Sequence, residues 1–481
     1  MSRARHTRSV RRPYLALAAC LVLAAGLAGC TRDISGGLAV ALPAETPAVP
    51  ERPPDQDHQR LVSAFGGEAR APRAVPLLTE ITGRLVAATD RPSETYRVTV
   101  LDSPLVNAFA LPSGRLYVTR GLLALANDTS EIAAVLAHEI AHVTLRHASA
   151  RLELEARQAL VSRVVTGVLG DTAGGALIET RAKVSLASFS RGQELEADEI
   201  GVATLARAGF DPYGASRFLT SLGRAAGRPG QGSSGDILAT HPSTPERVAQ
   251  AIQAARRVAA PGIGEGDRAR YLAAIDGLAY GDDPADGVVR GRAFLHPKLG
   301  VAFEAPEGIG LENTPRAVVG ASADGGRRLL FDVLETRPGQ PLDKVLKESW
   351  SEAIEPGSLR TISLRGGPAA LATSRGEDWT FHIGVTRVGG TAYRLVVAAR
   401  GVDPDLDRVF NDTLASLRPT GAEERRQLRP LRLRVVAAGP GDDAAALGAR
   451  MAGDTDRFPT LNGLEPGAAL KAGERYKIVT E

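Results

Sequence analysis

The sequence predicts an α+β multidomain protein: a helix-rich domain carrying a small sheet, then a second α+β domain, then a small strand-helix-helix-strand unit. Three observations carry this expectation. Amphipathic helical patterns dominate from about residue 58 to 260, broken by one extended piece, "YRVTVLDSPLVNAFALPSGRLYVTRGLL". Between residues 290 and 420 strands alternate with turns ("GVAFEAP", "RRLLFDVLET", "TAYRLVVAAR"), with helical patterns at 341–354 and 403–417. Beyond a charged hinge, "GAEERRQLRP", residues 432–481 run strand, helix, helix, strand as a separate small unit.

The chain opens "MSRARHTRSVRRPYLALAACLVLAAGLAGC", an arginine-rich head, an apolar run too short to span a bilayer, then small residues before a cysteine. Residues 1–29 read as an export signal. Leu27-Ala28-Gly29-Cys30 resembles the lipobox of bacterial lipoproteins, which implies cleavage before Cys30, its acylation, and attachment to the membrane through that lipid anchor. Thr31 in place of aspartate implies, by the same resemblance, the periplasmic face of the outer membrane. Residues 30–57 are rich in proline and small residues ("ALPAETPAVPERPPDQ") and read as a semi-extended tether, at about 3 Å per residue.

Charge and cysteine content narrow the function classes. Five of the 58 basic residues, arginines 3, 5, 8, 11 and 12, lie in the signal, leaving 53 basic against 55 acidic in the processed chain, a net charge of −2. A nearly neutral chain without a basic run gives no footing for nucleic acid. Cys20 and Cys30 are the two cysteines, so the processed chain has no intramolecular disulfide, and stability rests on its cores.

Residues 261–289, Gly/Asp-rich, read as a linker with one short helix. In 290–420 His296 and His382 are isolated, and no catalytic cluster is present. The stretch "FLHPKLGVAFEAPEGIGLENTP" resembles domains of the PsbP/Mog1-like fold. The 432–481 unit resembles a lysin-motif (LysM) domain in Pro440-Gly441-Asp442, Leu461-Asn462-Gly463-Leu464 and Ala472-Gly473-Glu474, which implies peptidoglycan as a partner. It departs from that pattern at Asp443, where threonine is common, and a structural cap that binds no sugar is the alternative.

The chemistry lies in "AHEIAHV", residues 137–143. On a helix, residues four apart share a face, so His138 and His142 can place two ring nitrogens on one zinc ion, with Glu139 beside its open position. Asp128 and Glu131 supply a capping pair for this helix. A second helix is marked in "SFSRGQELEADEIGVATLARAGFDP" by Ser190 and Gln193 as caps and by Gly209 and Pro212 as stops. On it Glu194 and Asp198 share a face, so Glu194 can be the third ligand while Asp198 receives the second ring N–H of a ligating histidine. In isolation the same acidic pattern is a solvated face. His147, about 140° further round a continuing helix than His142, is read as outside the metal's reach. The Gly-rich 164–179, "VVTGVLGDTAGGALIE", reads as a lid.

Four pieces in order, "NAFALPSG", "HEIAHVTLRH", "SRGQELEADEIG" and "THPSTPERV", look like the gluzincin metallopeptidases of the HtpX/BepA-like family, over residues 58–260. The resemblance implies one Zn2+ per chain, held by His138, His142 and Glu194, with Glu139 as general base and Asp198 behind a ligand. It implies that Asn107, Ala108, Phe109, Ala110 and Leu111 form the edge strand along which an extended substrate lies, although a plain sheet strand has the same pattern. It also implies that His241 can take zinc's fourth position as a latch. Arg247 reads as the partner of an acid. The expected activity is zinc-dependent endopeptidase cleavage of misfolded or stalled envelope and outer-membrane proteins, with the outer-membrane assembly machinery as a partner. The alternative is a chaperone-like assembly factor with a closed zinc site and a peptidoglycan-binding tail.

Overall fold

The computed structural model describes residues 54–147, 189–226, 241, 244–350, 353–364, 367–376, 378–465 and 467–481. The export signal, Cys30, most of the tether and the expected lid at 164–179 lie outside the described residues. The tether is shorter than expected, because a helix, Pro54–Ala64, begins inside it. This helix has an apolar anchor to gain: Leu61, Ala64 and Phe65 bury against Leu101, Leu105 and Tyr117.

The helix-rich part carries a three-stranded sheet. Arg97–Leu101 runs parallel to Arg115–Thr119, and Ala108–Ala110 pairs antiparallel with the latter at the sheet's edge. Thr119 ends that central strand and caps the helix Arg120–Leu125, its hydroxyl accepting from the Leu122 N–H. Two long helices follow, Thr129–Thr144 and Arg191–Arg207, and these carry the two sequence motifs. Three further helices, Gly214–Ala226, Pro245–Val258 and Arg268–Ile275, complete the surroundings. No helix among the described residues is long and apolar enough to cross a membrane.

Residues 288–419 form the sheet-rich part, with a seven-stranded antiparallel sheet and a four-stranded one. Both faces of the larger sheet are covered, and the sequence alternates accordingly. In Thr391–Arg400, Tyr393, Leu395, Val397 and Ala399 join one core with the helix Leu406–Ser416. Val396 and Ala398 join the opposite one with the helix Leu342–Glu348.

Two expectations about the chain's organisation are corrected. Residues 432–481 do have the order strand, helix, helix, strand, but they are not packed as a separate unit. Leu433, Leu447, Phe458, Tyr476 and Ile478 share one continuous core with Leu78, Ile81, Leu122, Ile132 and Leu136 of the helix-rich part. Likewise 261–289 is not merely a linker, since Tyr271, Leu272 and Ile275 are buried in that same core. The strand Leu431–Ala437 pairs with Arg475–Thr480 and, at its start, with Ala279–Tyr280. The sheet-rich part is thus inserted between two pieces of one core.

Candidate active site

The first motif helix is buried along its length, from Thr129 to His142. Asp128 opens it, its carboxylate accepting from the N–H groups of Ser130 and Glu131 at 2.9 Å each. Glu131 reaches past the cap and accepts instead from the Asn127 N–H at 2.9 Å. The second motif helix begins with a reciprocal capping box between Ser190 and Gln193 and ends as Gly209 takes a positive φ of 81°. Its Gly201 lies against the first helix so closely that a Cβ there would sit 3.3 Å from the backbone nitrogen of His138. The absent side chain allows the helices to approach and the two motifs to meet.

They meet in a compact cage. His138, His142, Glu194 and His241 are all buried, and one donor atom from each lies within 4.8 Å of the others. Nε2 of His138 is 3.0 Å from Nε2 of His142 and 3.2 Å from Nδ1 of His241. The Glu194 carboxylate lies 3.5 Å from each of the first two histidines and 2.8 Å from His241 Nδ1. Ligands held at about 2.0–2.1 Å around a tetrahedral zinc stand roughly 3.3 Å apart, so the cage has the size such an ion requires.

Its surroundings fit as well. Nδ1 of His138 lies 2.9 Å from Asp198 Oδ1, which orients the ring with Nε2 toward the cage. Arg247 grips Asp198 through two bonds of 2.7 and 2.8 Å and reaches Glu194 Oε2 at 2.7 Å, so it pairs with acids as expected. Glu139, Glu194 and Asp198 gather around that single guanidinium, so carboxylates outnumber the arginine in this cluster. The bias is visible in titration. Burial opposes charge on His138, yet Asp198 and Glu194 outweigh it and raise its pKa to about 10. Burial and the neighbouring His138 push His142 down to about 2. For Glu194, burial opposes ionisation, but hydrogen bonds from the three histidines prevail and hold its carboxyl below the ordinary range.

Glu139 is different in kind. It is buried, its pKa raised chiefly by that burial, and its Oε1 has no hydrogen-bond partner among the described residues. His241 Nε2 stands 3.7 Å from it. The edge strand is shorter than the expected Asn107–Leu111 span: Ala108, Phe109 and Ala110 form it, and Asn107 and Leu111 flank it. Phe109 stacks on Tyr117, with 4.8 Å between ring centroids.

The sequence places His147 outside the metal's reach, with local packing or a place at the helix C-terminus as its role, and gives Phe189 none. His147 is turned back against His142 because the helix stops at Thr144 instead of continuing. Phe189 stacks on the His142 ring, 3.9 Å between centroids and 20° between planes. A signal for Phe189 existed. An apolar residue just before an N-cap usually packs on the fourth helical residue, but here that residue is Glu194, so the ring is left to cover something else.

Donors of this type, converging in a pocket where carboxylates outnumber the arginine, define a metal centre of the zinc hydrolase class. Residues 72–255 match the model of peptidase family M48, a family of zinc metallopeptidases, and the four buried donors are of the kind such an ion takes. Over 203 residues the chain is 33% identical to the beta-barrel assembly-enhancing protease of Escherichia coli (strain K12), a match covering 38% of this chain and 40% of that protein. It is 36% identical over 162 residues to the mitochondrial metalloendopeptidase OMA1 of Arabidopsis thaliana, covering 33% and 32% respectively. The chain thus spans less than half the length of these relatives. Among solved structures it is similar to the Ran-binding protein Mog1p of Saccharomyces cerevisiae, at 10% identity and a TM-score of 0.20, covering 24% of this chain and 89% of that one.

Proposed function

We propose that the chain is a zinc-dependent endopeptidase of the bacterial cell envelope that cleaves misfolded or stalled envelope and outer-membrane proteins. The observation that carries the catalytic reading is Glu139: a buried carboxylate with an oxygen unpartnered among the described residues, standing beside a four-donor cage. A structural metal site has no use for it. His138, His142 and Glu194 hold the metal. Bound there, zinc supplies Lewis acidity toward water and toward a peptide carbonyl. Glu139, its proton affinity raised by burial, takes the proton of the attacking water and returns it to the leaving amine. Asp198 fixes the tautomer of His138, and Arg247 holds Asp198 and Glu194 in register. The free edge of Ala108–Ala110 receives the substrate backbone in extended form.

His241 is a latch in this reading. Its Nδ1, 3.2 Å from His138 Nε2, occupies the corner of the cage that a substrate needs. The same contact favours a second reading, an assembly factor whose zinc site stays closed. Attachment through an acylated Cys30, partnership with outer-membrane assembly machinery and peptidoglycan contact through residues 432–481 belong to the first reading as expectations about place. The relatives named as beta-barrel assembly-enhancing proteases support it.

The test is cleavage of an unfolded protein, with zinc content measured alongside. Glu139→Gln should keep zinc and lose cleavage by about 10²–10⁴-fold, and His241→Ala should cleave faster than the unchanged chain. If all three bind zinc and none cleaves, the assembly-factor reading prevails.

A further inference from the structure

His147 stands where it can act on the metal site. The first motif helix ends at Thr144, and Arg146 takes a φ of 57°, the one positive value among the described non-glycine residues. That left-handed step is costly for a side chain with a Cβ, so something must repay it. It turns the chain back and buries His147, 5% exposed, against His142. The two Nδ1 atoms are 2.8 Å apart, while Nε2 of His147 faces Glu196 Oε2 at 3.5 Å.

Two ring nitrogens at that distance must be one donor and one acceptor. His142 directs Nε2 into the cage, 3.0 Å from His138 Nε2, and an imidazole that offers its Nε2 lone pair to a cation carries its proton on Nδ1. His142 therefore donates and His147 accepts. The proton of neutral His147 then lies on Nε2, on the side of Glu196. We infer that His147 is a positioning residue for the metal ligand His142, accepting its Nδ1 proton, as Asp198 is for His138. This inference rests on the reading of His142 as a zinc ligand.

The acidic residues of "ELEAD" thereby divide the work. Glu194 faces the cage, Asp198 Oδ1 stands 2.9 Å from Nδ1 of the first histidine, and Glu196 Oε2 stands 3.5 Å from Nε2 of the residue behind the second. Phe189 closes one face of the His142 ring, so the ring is fixed by stacking as well as by its hydrogen bond.

The experiment measures zinc affinity of the full chain by competition with a chelating dye, for the unchanged protein, His142→Ala, His147→Leu and His147→Asn. Leucine keeps bulk but cannot accept, whereas the asparagine Oδ1 sits where the histidine Nδ1 stands. His142→Ala should lose zinc, His147→Leu should bind it about 10–100-fold more weakly, and His147→Asn should bind close to the unchanged chain. The zinc-free unfolding midpoints of the two His147 variants should coincide. Equal affinity in His147→Leu and the unchanged chain, or equal weakness in His147→Leu and His147→Asn, would overturn the inference. Retention of zinc by His142→Ala would overturn the ligand reading beneath it.

Discussion

Lys477 and Ala124, 353 positions apart, are joined by a hydrogen bond of 2.7 Å from the ammonium to the backbone carbonyl. The same Nζ donates to Ala126 O at 2.7 Å and Leu125 O at 3.3 Å. Lys477 therefore satisfies the carbonyls that the short helix Arg120–Leu125 leaves open at its end. Lys477→Met should leave these buried acceptors unpaired and cost about 1–3 kcal/mol, read as a lower urea midpoint. An unchanged midpoint would mean that water takes the place of the ammonium.

Close by, burial raises the pKa of Glu131 from its usual 4.5 to about 7, with Asp128 adding to the effect. A carboxyl whose folded pKa is raised favours folding most below its unfolded pKa, and that contribution is lost as pH rises through the folded value. Glu131→Gln keeps an acceptor for Asn127 without the charge. Its melting temperature should exceed that of the unchanged chain above pH 7 and approach it below about pH 4.5. Parallel pH curves for the two proteins would refute this assignment.

Tyr280 and Leu431 are directly opposed across an antiparallel pair, while the segment between them packs its own two cores. Replacing residues 281–430 by a two-residue Asn-Gly turn should therefore leave a chain that folds cooperatively and binds zinc. Truncation after residue 430 should not, because it strips Leu433, Phe458, Tyr476 and Ile478 from the shared core. Calorimetry and zinc content of the two products decide the matter; the opposite ranking would refute the insertion.

Arg247 pairs with two buried carboxylates at once. Arg247→Met should destabilise the zinc-free protein by about 3–5 kcal/mol, since buried Asp198 and Glu194 lose their guanidinium partner. Saturating zinc should restore part of this loss, a gain of about 2.7 kcal/mol at a free concentration one hundred times Kd. Thermal melts with zinc and with chelator separate the two effects.

Two residue pairs at the metal cage are legible because their spacing is local, whereas His241 enters only through the family resemblance. His138 and His142 are one helical turn apart, as are Glu194 and Asp198, and the caps at Asp128 and Ser190 declare both helices. Local patterning stops short of what happens at Arg146. The sequence there offers no glycine to announce a left-handed step, so His147 reads as one more residue on a continuing helix. The docking of residues 432–481 was hidden for another reason. Leu433, Phe458 and Ile478 have the same apolar pattern whether they fill a private core or a shared one. Nothing local in "ERYKIV" announces that the Lys477 side chain is fully enclosed.

The divided core also sets an order of events during synthesis. The helix bearing His138 and His142 leaves the ribosome more than three hundred residues before the strand that supplies Tyr476, Lys477 and Ile478 to its surroundings. Until that strand arrives, apolar residues such as Leu78, Leu122 and Ile132 lack part of their cover. The metal cage in the helix-rich part is therefore completed late, and an interrupted translation product carries the H-E-x-x-H motif without the finished core around it.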